Sequence, residues 1–328
     1  MTSFSILDLV PVSEGMTPVN ALQNARELAQ LAEALAYKRY WVAEHHNMVG
    51  IASAATSVVI GFIAGSTTKI RVGAGGIMLP NHSPLVIAEQ FGTLESLYPK
   101  RIDLGLGRAP GTDRQTWSAL RRDAASSDHF PQDVLELQKL LGPVEPGQSV
   151  LAVPGAGTNV PLWILGSSLF GAHVAAAFGL PFAFASHFAP NALLPALEVY
   201  REGFKPSLQL HEPYAMAGVN VVVADSDQEA RRLFTSIQQR FTGMLRSDRG
   251  YLKPPIDDIE KYWTPHEKIQ VSQMLKYAFV GSPATVAKDL QRFLKDTRVN
   301  ELMVTSAIYD HTARLKSYEL LAGITDQV

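Results

Sequence analysis

The stretch IRVGAGGIML, from Ile70 to Leu79, decides the fold class, because it is apolar almost throughout and does not alternate polar with apolar residues. Strands covered on both faces have this pattern, and they are typical of parallel sheets. A helix is predicted to begin at Pro84, since proline at the first helical position loses no hydrogen bond. A buried strand followed by a helix predicts a β–α unit.

The same unit recurs along the whole chain of 328 residues. The predicted strands are residues 4–10, 39–45, 70–79, 101–107, 161–166, 181–186, 214–224 and 301–305. Eight such units close most naturally into a barrel, which can hold this many residues in one domain. We therefore predict an α/β fold, a (β/α)8 TIM barrel with residues 1–328 as its single domain. The alternative is a doubly wound open sheet, which more often has roughly five to seven strands.

One segment interrupts this pattern after the seventh strand. Residues 247–265 are polar and contain Pro254-Pro255. Such composition is typical of loops. We predict that this segment is a mobile insertion.

The composition excludes several classes of function. Lys and Arg number 29 and Asp and Glu 31, so the net charge of −2 argues against a nucleic-acid or anionic-membrane surface. The absence of cysteine excludes disulfides, thiolate metal sites and cysteine nucleophiles. No run reaches the roughly 18 apolar residues of a membrane span, and the N-terminus lacks the basic start of a signal peptide. We expect a soluble, cytoplasmic protein.

Polar residues that follow the strands are the candidate site residues, because barrel active sites lie at the C-terminal ends of the strands. No lysine ends a strand, which argues against a Schiff-base aldolase. The candidates are Glu44, His45, Gly75, Gly76, Arg108, Gly166, Ser167, Ser168, His187 and Phe188.

The run Glu44-His45-His46 does not predict a metal site. Adjacent residues of a strand point to opposite faces, so the two imidazoles cannot ligate one ion. The sequence also has no His-x-His or His-Glu-x-x-His motif. Two interpretations of the histidines stay open. One is a semi-buried structural residue, and the other is a proton donor or acceptor tuned by Glu44 or by a ligand.

Arg108 and the pair Ser167-Ser168 follow neighbouring strands, the fourth and the fifth. Each has an ordinary interpretation, as a solvated arginine and as a helix cap. Together they favour a phosphate site, because the serines begin a helix and Arg108 follows glycines that let a ligand approach the backbone. The spacing G-x-G-x-x-x-G at Gly105 is not that of a dinucleotide-binding fold. Gly75-Gly76 inside a strand indicates either a bulge or room for a ligand ring.

Several longer motifs resemble the bacterial luciferase-like flavin monooxygenase family, and the match is nearest to its short single-component branch. They are WVAEHHN (41–47), VGAGGIMLPNHSP (72–84), AEQFGTL (88–94), RIDLGLGR (101–108), GSS (166–168), GLP (179–181) and ASHF (185–188). The resemblance covers nearly the whole chain. It implies a barrel that binds FMN.

The resemblance also implies roles for individual residues. His45 matches the family's catalytic histidine, which assists flavin peroxide chemistry. Gly75-Gly76 matches a non-proline cis peptide on the face of the flavin. Arg108 and Ser167-Ser168 match the residues beside the flavin phosphate. Bacterial luciferase differs at Ser167 and Gly107, so the substrate and any light emission stay open.

We therefore predict an FMN-dependent monooxygenase that uses reduced flavin and O2, through a flavin peroxide, on an unidentified small organic molecule. Glu44, His187 and Phe188 are expected to line the substrate pocket. A separate reductase is expected to supply reduced FMN, since no nicotinamide motif is present. A homodimer is expected, with the small-residue helix 52–65 close to its partner. The alternatives are a deazaflavin (F420)-dependent oxidoreductase and a flavin-binding protein without turnover.

Overall fold

The computed structural model describes residues 2–109 and 113–328. Nine strands occur in these ranges: β1 (Ser3–Asp8), β2 (Arg39–Val42), β3 (Arg71–Met78), β4 (Ile102–Gly107), β5 (Leu162–Gly166), β6 (Phe182–Phe184), β7 (Ala215–Val223), β8 (Ala278–Gly281) and β9 (Glu301–Thr305). The same ranges contain eleven α-helices: α1 (Pro18–Ala34), α2 (Thr56–Gly65), α3 (Pro84–Leu97), α4 (Arg114–Ala119), α5 (Phe130–Leu141), α6 (Leu169–Phe178), α7 (Leu193–Glu202), α8 (Asp227–Leu245), α9 (Pro265–Met274), α10 (Pro283–Thr297) and α11 (His311–Ala322). None of the described helices combines the length and the hydropathy that a membrane span requires.

Eight of the strands close into a parallel barrel. The order runs from β1 to β7 through sequential neighbours, and β9 then joins β7 to β1. In the register Ile6 on β1 lies opposite both Tyr40 on β2 and Val304 on β9. The predicted (β/α)8 barrel is confirmed, and the open sheet is excluded because β6 pairs with β7.

The strand β8 is an addition that the sequence analysis did not predict. It pairs with the C-terminal half of β7, where Asn220 lies opposite Ala278 and Val223 opposite Gly281. It therefore extends the sheet outside the barrel. With four residues it is too short for a clear apolar pattern.

Alternation along the strands separates two apolar layers. Residues such as Ile6 and Tyr40 belong to the large core cluster that also contains helix residues such as Leu28. Their strand neighbours Leu7 and Trp41 belong to a second cluster. Its further members include Trp163, Met216 and Met303, and the rings of Trp41 and Trp163 meet edge to face with centroids 5.1 Å apart. This second cluster fills the barrel interior.

A network of buried charges lies at the N-terminal ends of the strands. Arg39 on β2 donates to Asp103 Oδ2 on β4 (2.7 Å) and to Glu301 Oε1 on β9 (3.0 Å). Arg71 Nε donates to Asp103 Oδ1 at 3.0 Å, and Tyr214 donates to Glu301 Oε2 at 2.7 Å. Both carboxylates are fully buried. Together these groups close this end of the barrel.

The predicted insertion, residues 247–265, follows α8 and contacts the loop after β1. The backbone of Leu252 donates to Val12 O at 2.9 Å and accepts from Glu14 N at 2.8 Å. Leu252 and Trp263 are buried. The segment is therefore anchored at Leu252 and Trp263, and its mobility stays a prediction.

The charge network generates a prediction about stability. Arg39→Met is expected to lower the free energy of unfolding by about 3–5 kcal/mol, because it leaves buried carboxylate charge with too few cations. Urea unfolding measures this change. Arg232→Met is the control, since the Arg232–Asp257 pair is exposed and such pairs contribute about 0–1 kcal/mol. Equal losses in the two variants would contradict the account.

Candidate active site

A cavity of about 500 Å³ opens at the C-terminal ends of the barrel strands. Its wall contains most of the residues that the sequence analysis selected. Two of the selected residues, Glu44 and Gly76, are not in the wall. Those that line the cavity are His45, Gly75, Arg108, Gly166, Ser167, Ser168, His187 and Phe188.

One corner of the cavity, which we call the anion corner, is formed by Arg108, Ser167, Ser168 and the first turn of α6. Arg108 directly follows β4, and its guanidinium carbon lies 4.1 Å from the ring centroid of Phe170 in the first turn of α6. Ser167 and Ser168 precede α6, and the Ser168 side chain makes no capping hydrogen bond to it. The first N–H groups of α6 and the serine hydroxyls are therefore available to an anion. Arg108 adds the charge and a planar set of donors.

Gly75 and Gly76 sit where β3 is irregular. The peptide bond between them is cis, as the resemblance implies. The register with β4 shifts between Gly75 and Ile77. A Cβ atom on Gly75 would lie 2.7 Å from Leu7 Cδ1, and one on Gly76 would lie 2.6 Å from the Gly105 carbonyl oxygen. Gly76 thus packs on the β4 backbone, which explains why Gly75 alone of the pair lines the cavity.

Two histidines of the cavity wall, His45 and His187, have lowered pKa values. Burial and, to a smaller extent, the charge of Arg240 lower the pKa of His45 to about 4. Burial and, to a smaller extent, His45 lower the pKa of His187 to about 4. The Nδ1 atoms of both have no hydrogen-bond partner in the described part of the chain. At neutral pH both rings are uncharged, and each can accept a proton or a hydrogen bond.

Glu44 lies outside the cavity, which corrects its expected place in the substrate pocket. Its carboxylate accepts from His46 Nε2 (2.7 Å), His82 Nε2 (2.9 Å), Met78 N (3.0 Å) and Asn81 Nδ2 (3.1 Å). Burial raises the pKa of Glu44, but the hydrogen bonds from the histidines outweigh it and hold the value at about 2. Glu44 therefore anchors the loop after β3. The strand β2 ends at Val42, so the alternation expected through His45 does not apply to it.

The side chains of Glu44, His46 and His82 offer three atoms within 4.8 Å of one another that could ligate a metal. The four donors named above already surround the Glu44 carboxylate. Both histidine Nε2 atoms are engaged with it as well. The hydrogen bonds account for this cluster.

Several charged residues of the cavity wall are not among the candidates predicted from the sequence. Arg240 comes from α8, and Arg249 and Lys253 come from the segment 247–265. Arg240 has a detectable signal, since it lies three residues after the buried Ile237 and next to the buried Phe241. A charge on the apolar face of an amphipathic helix is unusual enough to mark a site.

The chain is similar to known proteins over nearly its whole length. The family model described as luciferase-like monooxygenase matches residues 2–301. A luciferase-like monooxygenase of Escherichia coli strain K12 is 52% identical over 327 residues, which cover 99% of this chain and 98% of the relative. The crystal structure of apo-MsnO8 is 34% identical and covers 100% of this chain and 99% of its own, with a TM-score of 0.88.

More distant solved structures share the fold and differ in cofactor. The oxygenating constituent of 3,6-diketocamphane monooxygenase from Pseudomonas putida, in complex with FMN, is 16% identical, covers 98% of this chain and 96% of its own, and has a TM-score of 0.73. An F420-dependent secondary alcohol dehydrogenase with an F420-acetone adduct is also 16% identical, covers 100% and 99%, and has a TM-score of 0.72. Neighbours of this fold therefore hold either flavin or F420.

The electrostatics of His45 generate a prediction about pH. In protein with labelled histidines, NMR should show His45 titrating near pH 4 instead of near its ordinary value of 6.5. Between these values the unfolded chain holds a proton that the folded chain lacks, so the free energy of unfolding falls as the pH is lowered through this window. His45→Asn assigns the signal and reduces the fall. A His45 midpoint near 6.5 would contradict the account.

Proposed function

This chain belongs to the luciferase-like monooxygenase family, and we propose that it is an FMN-dependent monooxygenase that uses reduced flavin and O2 to oxidise a small organic substrate. One observation carries the proposal. A cavity of about 500 Å³ joins the anion corner at Arg108 to the uncharged His45 at the open end of the barrel. Reduced flavin, when bound, supplies the electrons that activate O2.

The anion corner fits the phosphate of FMN. Arg108 would pair with two phosphate oxygens, and the Ser167 and Ser168 hydroxyls with the first N–H groups of α6 would bind the others. Gly166 in the cavity wall adds no side chain that would block the approach. The ring of Phe170 orients the Arg108 guanidinium beside the helix start. These residues would fix one end of the cofactor.

The rest of the cavity fits a flat ring and a substrate. Gly75 would face the flavin ring, and Leu7 and Trp41 give the floor an apolar surface. His45 is the proposed catalytic residue, because its unpartnered Nδ1 can accept a proton from the reacting groups. His187 and Phe188 would contact the substrate. Their rings pack edge to face, with centroids 4.9 Å apart.

The segment 247–265 contributes to the cavity wall and would help to keep water out of the site. Asp248, Arg249 and Tyr251 are part of the cavity wall. Arg249 Nη1 lies 3.1 Å from Asp113 Oδ2, so this segment is joined to the start of α4. We propose that the segment moves to admit substrate and closes during turnover.

The proposed enzyme is cytoplasmic and receives reduced FMN from a separate reductase. Its activity should show in the oxidation of reduced FMN by O2. Native protein is expected to change the rate of this oxidation, followed by flavin absorbance, and His45→Ala is expected to restore most of the rate seen without protein. His211→Ala is the control, since His211 is exposed.

Two results would contradict the proposed function. The first is an oxidation rate that native protein leaves unchanged. The second is binding of F420 by native protein without binding of FMN, which would support a deazaflavin-dependent oxidoreductase instead. Both titrations use the purified full chain.

We also propose a homodimer in which α2 contacts the partner. Val58 and Phe62 lie one helical turn apart on α2, and they are 71% and 40% exposed. Apolar side chains that share an exposed helix face are typical of interfaces.

This interface predicts an effect of added charge. Light scattering should give twice the mass of one chain for native protein and a lower mass for Phe62→Glu, because a carboxylate would be buried without a partner. Leu208→Glu is the control, since Leu208 is fully exposed in a loop. A monomeric native protein would contradict the proposed dimer.

A further inference from the structure

Only some of the cationic side chains that line the described part of the cavity have a carboxylate partner. Five cationic side chains line it within the described ranges: Arg108, Arg240, Arg249, Lys253 and Arg314. Three of them have a carboxylate partner. Arg314 pairs with Asp8 at 2.8 Å, Lys253 with Asp248 at 3.2 Å and Arg249 with Asp113 at 3.1 Å. Arg108 and Arg240 have no such partner among the residues that the structure describes.

The proposed function uses only one of these two free cations. Arg108 follows β4 and belongs to the anion corner. Arg240 belongs to α8, which follows β7, and its charge acts on His45. The strands β7 and β4 are separated by two strands on one side of the barrel and by four on the other, so the elements that carry the two arginines are not neighbours. The charges that act on Arg240 are those of Arg314 and Asp8. The phosphate that Arg108 would bind therefore does not account for Arg240.

The surroundings of Arg240 make its charge costly. Burial and the neighbouring Arg314 lower its pKa to about 10, so it remains protonated at neutral pH. Asp8 is the carboxylate whose charge raises the pKa of Arg240. It already accepts hydrogen bonds from Arg314, from the Tyr40 hydroxyl and from Val10 N. A partly buried cation without a counter-charge disfavours the folded state. Such groups cluster at binding sites.

A second unpartnered polar group lies on the same side of the cavity. The Ser306 hydroxyl is buried, lines the cavity and has no hydrogen-bond partner in the described ranges. Ser306 follows β9, which pairs with β7. Its carbonyl oxygen accepts from Arg314 Nε at 2.8 Å, which places it beside the Asp8–Arg314 pair. Among the described residues, Arg240 therefore has no carboxylate partner and the Ser306 hydroxyl has no hydrogen-bond partner, and both line the cavity.

We propose that Arg240 binds a carboxylate group of the substrate beside His45, and that Ser306 adds a hydrogen bond to it. This inference rests on the proposed function and names its substrate class, an apolar molecule that carries one carboxylate. A single guanidinium matches a monoanion in charge and a carboxylate in geometry. A phosphate dianion would need a second free cation, and Asp8 already occupies Arg314. The apolar floor with Leu7 and Trp41 suits the remainder of the molecule.

The test compares two probes of equal length, octanoate and octanamide, by titration calorimetry on the full chain. Native protein is expected to bind octanoate at least about tenfold more tightly, because a hydrogen bond to a charged group contributes that much. Arg240→Gln should remove the preference, and Arg240→Lys should keep part of it. Arg231→Gln is the matched control, since Arg231 is exposed on the same helix. Circular dichroism verifies that each variant is folded.

Each outcome decides the inference. Equal affinity for the two probes, no binding of octanoate, or a preference that Arg240→Gln retains would overturn it. FMN affinity is measured in parallel by flavin fluorescence. Loss of FMN binding in Arg240→Gln would assign Arg240 to the cofactor and also overturn the inference. Native protein that prefers octanoate through Arg240 but binds no FMN would contradict the proposed function and leave the carboxylate site standing.

Discussion

A buried arginine fixes the closed end of the barrel, and the position of the site follows from it. Arg39 on β2 joins Asp103 on β4 to Glu301 on β9, although neither strand is its neighbour. These charges satisfy one another and fill the interior at the N-terminal ends of the strands. The aromatic layer of Trp41 and Trp163 lies above them. The cavity of about 500 Å³ lies at the opposite, C-terminal ends.

The two ends of the barrel differ in whether their buried polar atoms have hydrogen-bond partners. At the closed end both carboxylates have several donors. At the open end the His45 and His187 Nδ1 atoms and the Ser306 hydroxyl have none among the described residues. Unpartnered buried polar atoms reduce stability unless a ligand satisfies them. The proposed cofactor and substrate would provide those partners.

The long apolar runs of buried parallel strands predicted the barrel, and eight of the ten candidate residues line its cavity, because the site of such a fold lies at the strand ends. The sequence could not predict what depends on the course of the backbone after a strand. Glu44 turns away from the cavity because β2 ends at Val42. The position of Arg240 on the apolar face of α8 marks it in the sequence, but which cavity it reaches depends on how α8 packs on the barrel. The strand β8 was missed because four residues carry too little pattern.

The central claim is that the corner formed by Arg108 and the start of α6 binds a phosphate. Its most direct test is the affinity for FMN relative to riboflavin, which has the same ring but no phosphate. The account predicts that native protein binds FMN at least about tenfold more tightly, and that Arg108→Met removes this difference while riboflavin binding is unchanged. Equal affinity of native protein for both ligands, or a preference that persists in Arg108→Met, would contradict it.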